Sequence, residues 1–251
     1  MAYHFRLPSN AKPNYLRLSG KDITISQLDC FKPLPPRTNY LHLESFEDLR
    51  NIIPCLLVDG DCLKTLQISN CHNFNYLINV EELTVLEGTK HMWKSPSELL
   101  RLHNLQILKI YFWEELKVIF PASIAQGLEQ LKQLELRSCD ELEAIVAERQ
   151  EREETIDNVV FSQLIKISLH RLPNLKAFCM DNLPFKWPSL EMVEVSNCPK
   201  MKTFAASDGN QSTPKLKVIK VNYHDIMVDG TDLDTVMQNH YKEEGVAGPS
   251  N

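Results

Sequence analysis

A chain of 251 residues leaves room for one or two domains, and 43% apolar with 24% charged residues is the balance of a folded protein rather than a disordered one. A formal charge of −6 argues against a dedicated binder of nucleic acid or anionic membrane, since either wants a basic face. No run of eighteen apolar residues exists, and the opening "MAYHFRLPSNAKPN" lacks the apolar segment of a secretory signal, so neither a membrane span nor export is expected.

Taken in chain order, residues 1–12 read as a flank, and a repeat then begins. Its clearest form is L-x-x-L-x-L-x-x-C-x-x-L. Loose copies stand at Leu16 and Leu18, and at Leu41, Leu43, Phe46 and Leu49. Leu63, Leu66, Ile68, Cys71 and Phe74 make the first full copy, and a weak one follows at Leu83 and Val85. Leu105, Leu108, Ile110, Trp113 and Leu116 fit with tryptophan in the cysteine slot. Leu131, Leu134, Leu136, Cys139 and Leu142 fit in full, and Leu164, Ile167, Leu169, Leu172 and Leu175 fit with leucine in the slot. Leu190, Val193, Val195, Cys198 and Met201 follow, and Leu216, Ile219 and Val221 open a last copy whose slot holds His224. The copies start near 13, 38, 63, 80, 105, 131, 164, 190 and 216, about nine units with a period near 25, inside the range of leucine-rich repeats.

The x-L-x-L-x stretch alternates with period two, so each unit contains a short strand with one buried face. One strand and its return cannot bury enough apolar surface alone, but stacked units share a continuous core. The expected fold is therefore α/β: a leucine-rich-repeat solenoid, a curved horseshoe with a parallel sheet on its concave face over residues 13–230. The convex returns are expected to be mostly irregular or short-helical, with helices only near 96–102 and 122–130, and the prolines in "RLPNLK", "NLPFKWPSL" and "NCPKMK" suggest irregular or extended returns elsewhere. The longest step between neighbouring copies, 33 residues, holds the charged insert "AERQEREETIDN" at 147–158, read as a solvated loop. Leu233, Val236, Met237 and Tyr241 have helical spacing, which predicts a helix over 231–244 capping the open core, followed by a disordered tail at 245–251.

Seven cysteines, at 30, 55, 62, 71, 139, 179 and 198, are odd in number and sparse for a disulfide scaffold. Cys71, Cys139 and Cys198 share one repeat phase, where sister units carry Phe46, Trp113 and Leu172. A metal or catalytic role would not survive those exchanges, whereas a small buried thiol under a turn would. No H-E-x-x-H, C-x-x-C or G-x-S-x-G occurs, so no enzyme, metal or cofactor is expected.

"LEQLKQLELRSCDELEAIVAE", the charged insert, "VVFSQLIKISLHRLPNLKAFC", "WPSLEMVEVSNCPKMKTF" and the closing "DLDTVMQ" together resemble the leucine-rich-repeat region of plant coiled-coil nucleotide-binding leucine-rich-repeat disease-resistance proteins, best over residues 100–244. The resemblance implies an intracellular, cytoplasmic or nucleocytoplasmic receptor part. It would recognise a pathogen effector or a guarded host protein, and restrain a nucleotide-binding module in cis or in trans. No G-x-x-x-x-G-K-[ST] phosphate loop and no N-terminal coiled coil occur, so the sequence resembles the sensing half of such a receptor. A substrate-recruiting leucine-rich-repeat subunit of a ubiquitin ligase, or a generic protein-binding scaffold, is the alternative.

The surface available for recognition is the concave sheet. Its outward residues should align in columns from unit to unit: Tyr15, Tyr40, Thr65, Glu82, Ile107, Gln133, Lys166, Met192 and Val218 in the first; Arg17, His42, Gln67, Thr84, Lys109, Glu135, Ser168, Glu194 and Lys220 in the second; Ser19, Glu44, Ser69, Leu86, Tyr111, Arg137, His170, Ser196 and Asn222 in the third. Leu86, Ile107, Lys109, Tyr111, Glu135, Arg137, His170, Glu194 and Lys220 are the candidates for protein contact, with Leu86, Ile107 and Tyr111 expected as an apolar patch.

Overall fold

Alternating apolar residues give strands wherever the repeat falls within the described part of the chain. The computed structural model describes residues 14–21, 38–47, 62–72, 102–120, 122–147, 158–180, 184–201, 204, 213–228, 233 and 235–236. Strands β1 (Tyr15–Ser19), β2 (Tyr40–Glu44), β3 (Thr65–Ser69), β4 (Ile107–Tyr111), β6 (Gln133–Arg137), β9 (Lys166–His170), β12 (Met192–Ser196) and β13 (Val218–Val221) pair side by side in chain order, all parallel. The template's paired apolar positions, such as Leu41 with Leu43, Leu134 with Leu136 and Val193 with Val195, are buried, and the residues between and beside them form the outer face. A one-residue slip would exchange the two faces, so this burial fixes the register of the whole sheet.

A second parallel sheet is built from the segments that follow the slot residue: β5 (Val118–Phe120), β7 (Ala144–Val146) and β10 (Ala177–Cys179). A two-stranded pair joins β8 (Val159–Val160) to β11 (Phe185–Lys186). Short strands thus stand in returns expected to be mostly irregular or short-helical, and β11 lies in "NLPFKWPSL", where an irregular or extended return was expected. Their short β-branched and aromatic runs, with Ile119, Ile145, Val146 and Phe178 in the same core as the main sheet, favour strands. Helix α1 (Ala122–Gln126) is shorter than the expected 122–130, because the chain leaves it at Gly127. Of the helix expected near 96–102 only Leu102 is described, opening a 3₁₀ turn, Leu102–Asn104. Phe161, Phe178, Phe185, Trp187 and Phe204 gather with ring centroids 5.4–6.1 Å apart, an aromatic layer that the leucine template does not announce.

From β2 onward each parallel strand leaves the main sheet in the same way. The residue after it adopts a left-handed backbone at Ser45, Asn70, Phe112, Ser138, Arg171, Asn197 and Asn222, with φ between 46° and 57°. From Ser45 to Arg171 the amide of this residue still donates to the next strand's last carbonyl at 2.9–3.1 Å, so the ladder runs one residue past the strand while the chain turns away. At Asn197 the acceptor is instead the side-chain Oδ1 of Asn222, at 3.0 Å. After β1 the position is Gly20, whose amide donates to the Glu44 carbonyl at 2.9 Å. A Cβ there would lie 2.2 Å from the Ser45 carbonyl oxygen, so the neighbouring backbone leaves no space for a side chain.

The three repeated cysteines sit directly beyond these turns. Cys71, Cys139 and Cys198 are at most 1% exposed, and they are free thiols, as their phase predicts. Each S–H donates to the carbonyl two residues back: Ser69 at 3.4 Å, Arg137 at 3.6 Å and Ser196 at 3.5 Å. Burial outweighs these bonds and pushes the thiols up to about 11, 12 and 11 respectively.

Two expectations fail. β3 pairs directly with β4, Thr65 opposite Ile107 and Ser69 opposite Tyr111, so no strand from the copy near 80 stands between them. The sheet therefore has eight parallel strands among the described residues, and Leu83 and Val85 lie outside those residues. The last copy does not complete a repeat either. Asn222 and Tyr223 both have positive φ, the backbone of a two-residue hairpin, and β14 (His224–Met227) runs back antiparallel along β13. His224 is consequently exposed rather than packed in a slot. Leu233 and Val236 are helical and buried in the core. Apart from 233, 235 and 236, the span 231–244 lies outside the described residues, as do the insert apart from its first and last residues and the segments 1–12 and 245–251.

Two outcomes follow for the purified chain. Gly20→Ala should lower stability by about 1–3 kcal/mol, because the clash is with backbone, and a denaturant midpoint measures it. Iodoacetamide should label exposed Cys62 quickly, and Cys71, Cys139 and Cys198 only on unfolding, as peptide mass mapping would read out.

Candidate functional site

The outer face of the main sheet carries the residues that the columns place there. The register aligns Ile107, Gln133, Lys166, Met192 and Val218 in one column, Lys109, Glu135, Ser168, Glu194 and Lys220 in the next, and Tyr111, Arg137, His170 and Ser196 in the third. Eight of the nine contact candidates thus share one face. Leu86 lies outside the described residues, and the place proposed for it between Ser69 and Tyr111 is closed by their direct pairing, so the expected patch keeps only Ile107 and Tyr111.

Charges on this face are matched across strands. Lys109 Nζ lies 3.4 Å from Glu135, Lys166 Nζ lies 2.8 Å from Glu194, and Arg17 pairs with Glu44 through Nε at 3.0 Å and Nη2. Lys220 reaches Asp225 of β14 at 3.8 Å. The Arg17 hydrogen bond holds the Glu44 carboxyl below its ordinary range. Burial alone would raise Glu194, but hydrogen bonds from Lys166 and Ser168 and the charges of Lys166 and Lys220 together bring it below. Burial, then donation of its hydroxyl to Glu135, pushes the Tyr111 phenol well up, so it stays a neutral donor. Such half-exposed ion pairs contribute about 0.2–1 kcal/mol each, so their main effect is to fix side-chain directions.

Sequence reasoning missed two histidine–serine pairs. His42 Nε2 and Ser69 Oγ share a hydrogen bond at 2.8 Å, and His170 Nδ1 and Ser196 Oγ share one at 2.5 Å. Both imidazoles are held below their ordinary value, chiefly by burial. His42 is only 9% exposed, and its ring also approaches Gln67 Nε2 at 3.5 Å. At the first strands, Tyr15 and Tyr40 bring their rings within 4.7 Å, and the Tyr40 hydroxyl donates to Gln67. Beyond the carboxyl ends of β6, β9, β12 and β13 an open groove of about 520 Å³ is lined by Asp140, Arg171, Pro173, Asn197, Cys198, Pro199 and Asn222. Prolines following the slot region, in "RLPN" and "NCPK", are its trace in the sequence. Among the described residues no three His, Cys, Asp or Glu side chains are grouped to hold a metal ion, and no helix is long and apolar enough to cross a membrane.

The histidines give a pH dependence whose sign is fixed. The folded pKa lies below the unfolded value of about 6.5, so the unfolded chain binds more protons as pH falls. This contribution to stability is complete above that value and is lost as pH falls through it toward the folded pKa. Urea titrations between pH 7 and 5 should show the midpoint falling, with a shallower fall for His42→Gln.

Comparison with known proteins adds a family to this geometry. No curated protein matches the chain. The family described as plant disease resistance protein RPS2-like, leucine-rich repeats, matches residues 72–140 and 131–225, more than half of the sequence. A sheet of parallel strands, each contributed by one copy of a leucine template, is compatible with that match, and the chain belongs to the RPS2-like leucine-rich-repeat family of plant disease resistance proteins.

Proposed function

We propose that this leucine-rich-repeat region is the recognition part of an intracellular immune receptor, with the outer face of the main sheet as its contact surface. In this reading the repeats over 13–230 stack as a curved solenoid whose concave side is that face, and a helix over 231–244 caps its core. The surface senses a pathogen effector or a guarded host protein, and the region restrains a nucleotide-binding module supplied in cis or in trans. The observation that carries the reading is the face itself. Its backbone is engaged in a parallel ladder, and its register lines up neutral, cationic, anionic and aromatic side chains of many kinds in fixed columns. Such a surface suits a protein partner better than one uniform polymer, because complementarity to a folded surface needs mixed chemistry held rigidly. Membership of the resistance-protein family supports the same reading.

The test uses the purified chain and a separately expressed nucleotide-binding module of the same receptor class. Co-elution on size exclusion is expected, and Ile107→Arg, which sets a long cation into the middle of the face, should weaken association at least about tenfold. A folded chain that never associates would sink the restraint role, and unchanged affinity in the variant would remove this face from it.

A further inference from the structure

Arg137 ends β6 in the third column, flanked in register by Tyr111 on β4 and His170 on β9. Its guanidinium has no ion-pair or hydrogen-bond partner among the described residues. The anions of this face are otherwise engaged. Glu44 is held by Arg17, and Glu194 by Lys166 and Ser168. Glu135, two residues before Arg137 on the same strand, is occupied three times, by Lys109 and Gln133 at 3.4 Å each and by the Tyr111 hydroxyl. Among the described residues, Arg137 is thus a cation of this face whose charge no neighbouring carboxylate is free to neutralise.

We propose that Arg137 is the anchor for a carboxylate, the side chain of an Asp or Glu presented by the protein partner; this rests on the outer-face reading above. A guanidinium matches a carboxylate with two parallel hydrogen bonds, which gives direction as well as attraction. The surroundings suit an incoming anion. Tyr111 stays a neutral phenol, and its ring offers an apolar flank. On the other side the Ser196 hydroxyl can donate to His170 Nδ1, which leaves the ring's second N–H as a further donor. The Lys109–Glu135 and Lys166–Glu194 pairs on either side are already neutral, so they neither compete for the carboxylate nor repel it. An acidic partner residue would then find one attractive position on a face that is elsewhere balanced, which fixes register rather than adding bulk affinity.

Random peptides displayed on phage are the probe, selected in parallel on the intact chain, on Arg137→Gln and on Ile107→Arg. Arg137 is exposed, so its replacement should leave the fold intact, which circular dichroism verifies. Peptides selected on the unaltered chain should be enriched in Asp and Glu. They should bind Arg137→Gln about tenfold or more weakly and lose affinity as salt is raised. Peptides that depend on Ile107 but show no acidic enrichment, or that bind Arg137→Gln unchanged, overturn the anchor and leave the outer-face reading standing. Peptides indifferent to both substitutions, or no selected peptide at all, overturn both.

Discussion

A strand in a parallel sheet has to leave it, and leaving breaks hydrogen bonds unless the backbone reverses its twist at once. Seven strand exits solve this with a left-handed residue directly after the strand, each with its amide still bonded to the neighbouring backbone or side chain. For residues other than glycine that conformation costs about 1–2 kcal/mol. The retained hydrogen bond and the burial of the next residue offset it. The rest of the molecule follows from that turn: the slot residue is driven inward, the next strand is set in register, and the outward side chains fall into columns.

The turn also explains a sequence that looks indifferent to it. Asn at 70, 197 and 222 is what such a position favours, because its short amide tolerates the left-handed region. Phe112 and Arg171 are not, and nothing local in the sequence marks them. They are held left-handed by the units on either side, whose ladders and buried leucines leave no other path. Here stacking overrides local preference, as a repeat architecture allows when each unit is braced by its neighbours.

The same logic sets how far the sequence could be read. The inner face was legible, because leucine and valine at period two have one physical meaning. The outer columns were legible by arithmetic, since one phase fixes three positions per unit. The step from β3 to β4 was not, because Leu83 and Val85 alternate as a strand does, and only pairing decides whether a strand is admitted. The return strands were missed since runs such as "AIV" and "AFC" are too short for a period to show. The histidine–serine pairs were invisible for another reason: the columns place His170 beside Ser196 and His42 only diagonally to Ser69, while either hydrogen bond depends on rotamers that the repeat does not set.

The hairpin at Asn222 and Tyr223 reaches beyond the strand it makes. A parallel sheet grown from identical units has no intrinsic stopping point, since the edge left by one unit is the template for the next. β14 reverses the polarity of that edge, so a further copy of the leucine template would meet a strand running the wrong way. A further parallel copy can therefore be accommodated between units upstream of β13 but not beyond it. The outer face can lengthen in engineered chimaeras by insertion between units or by addition at the β1 edge, but not past β14.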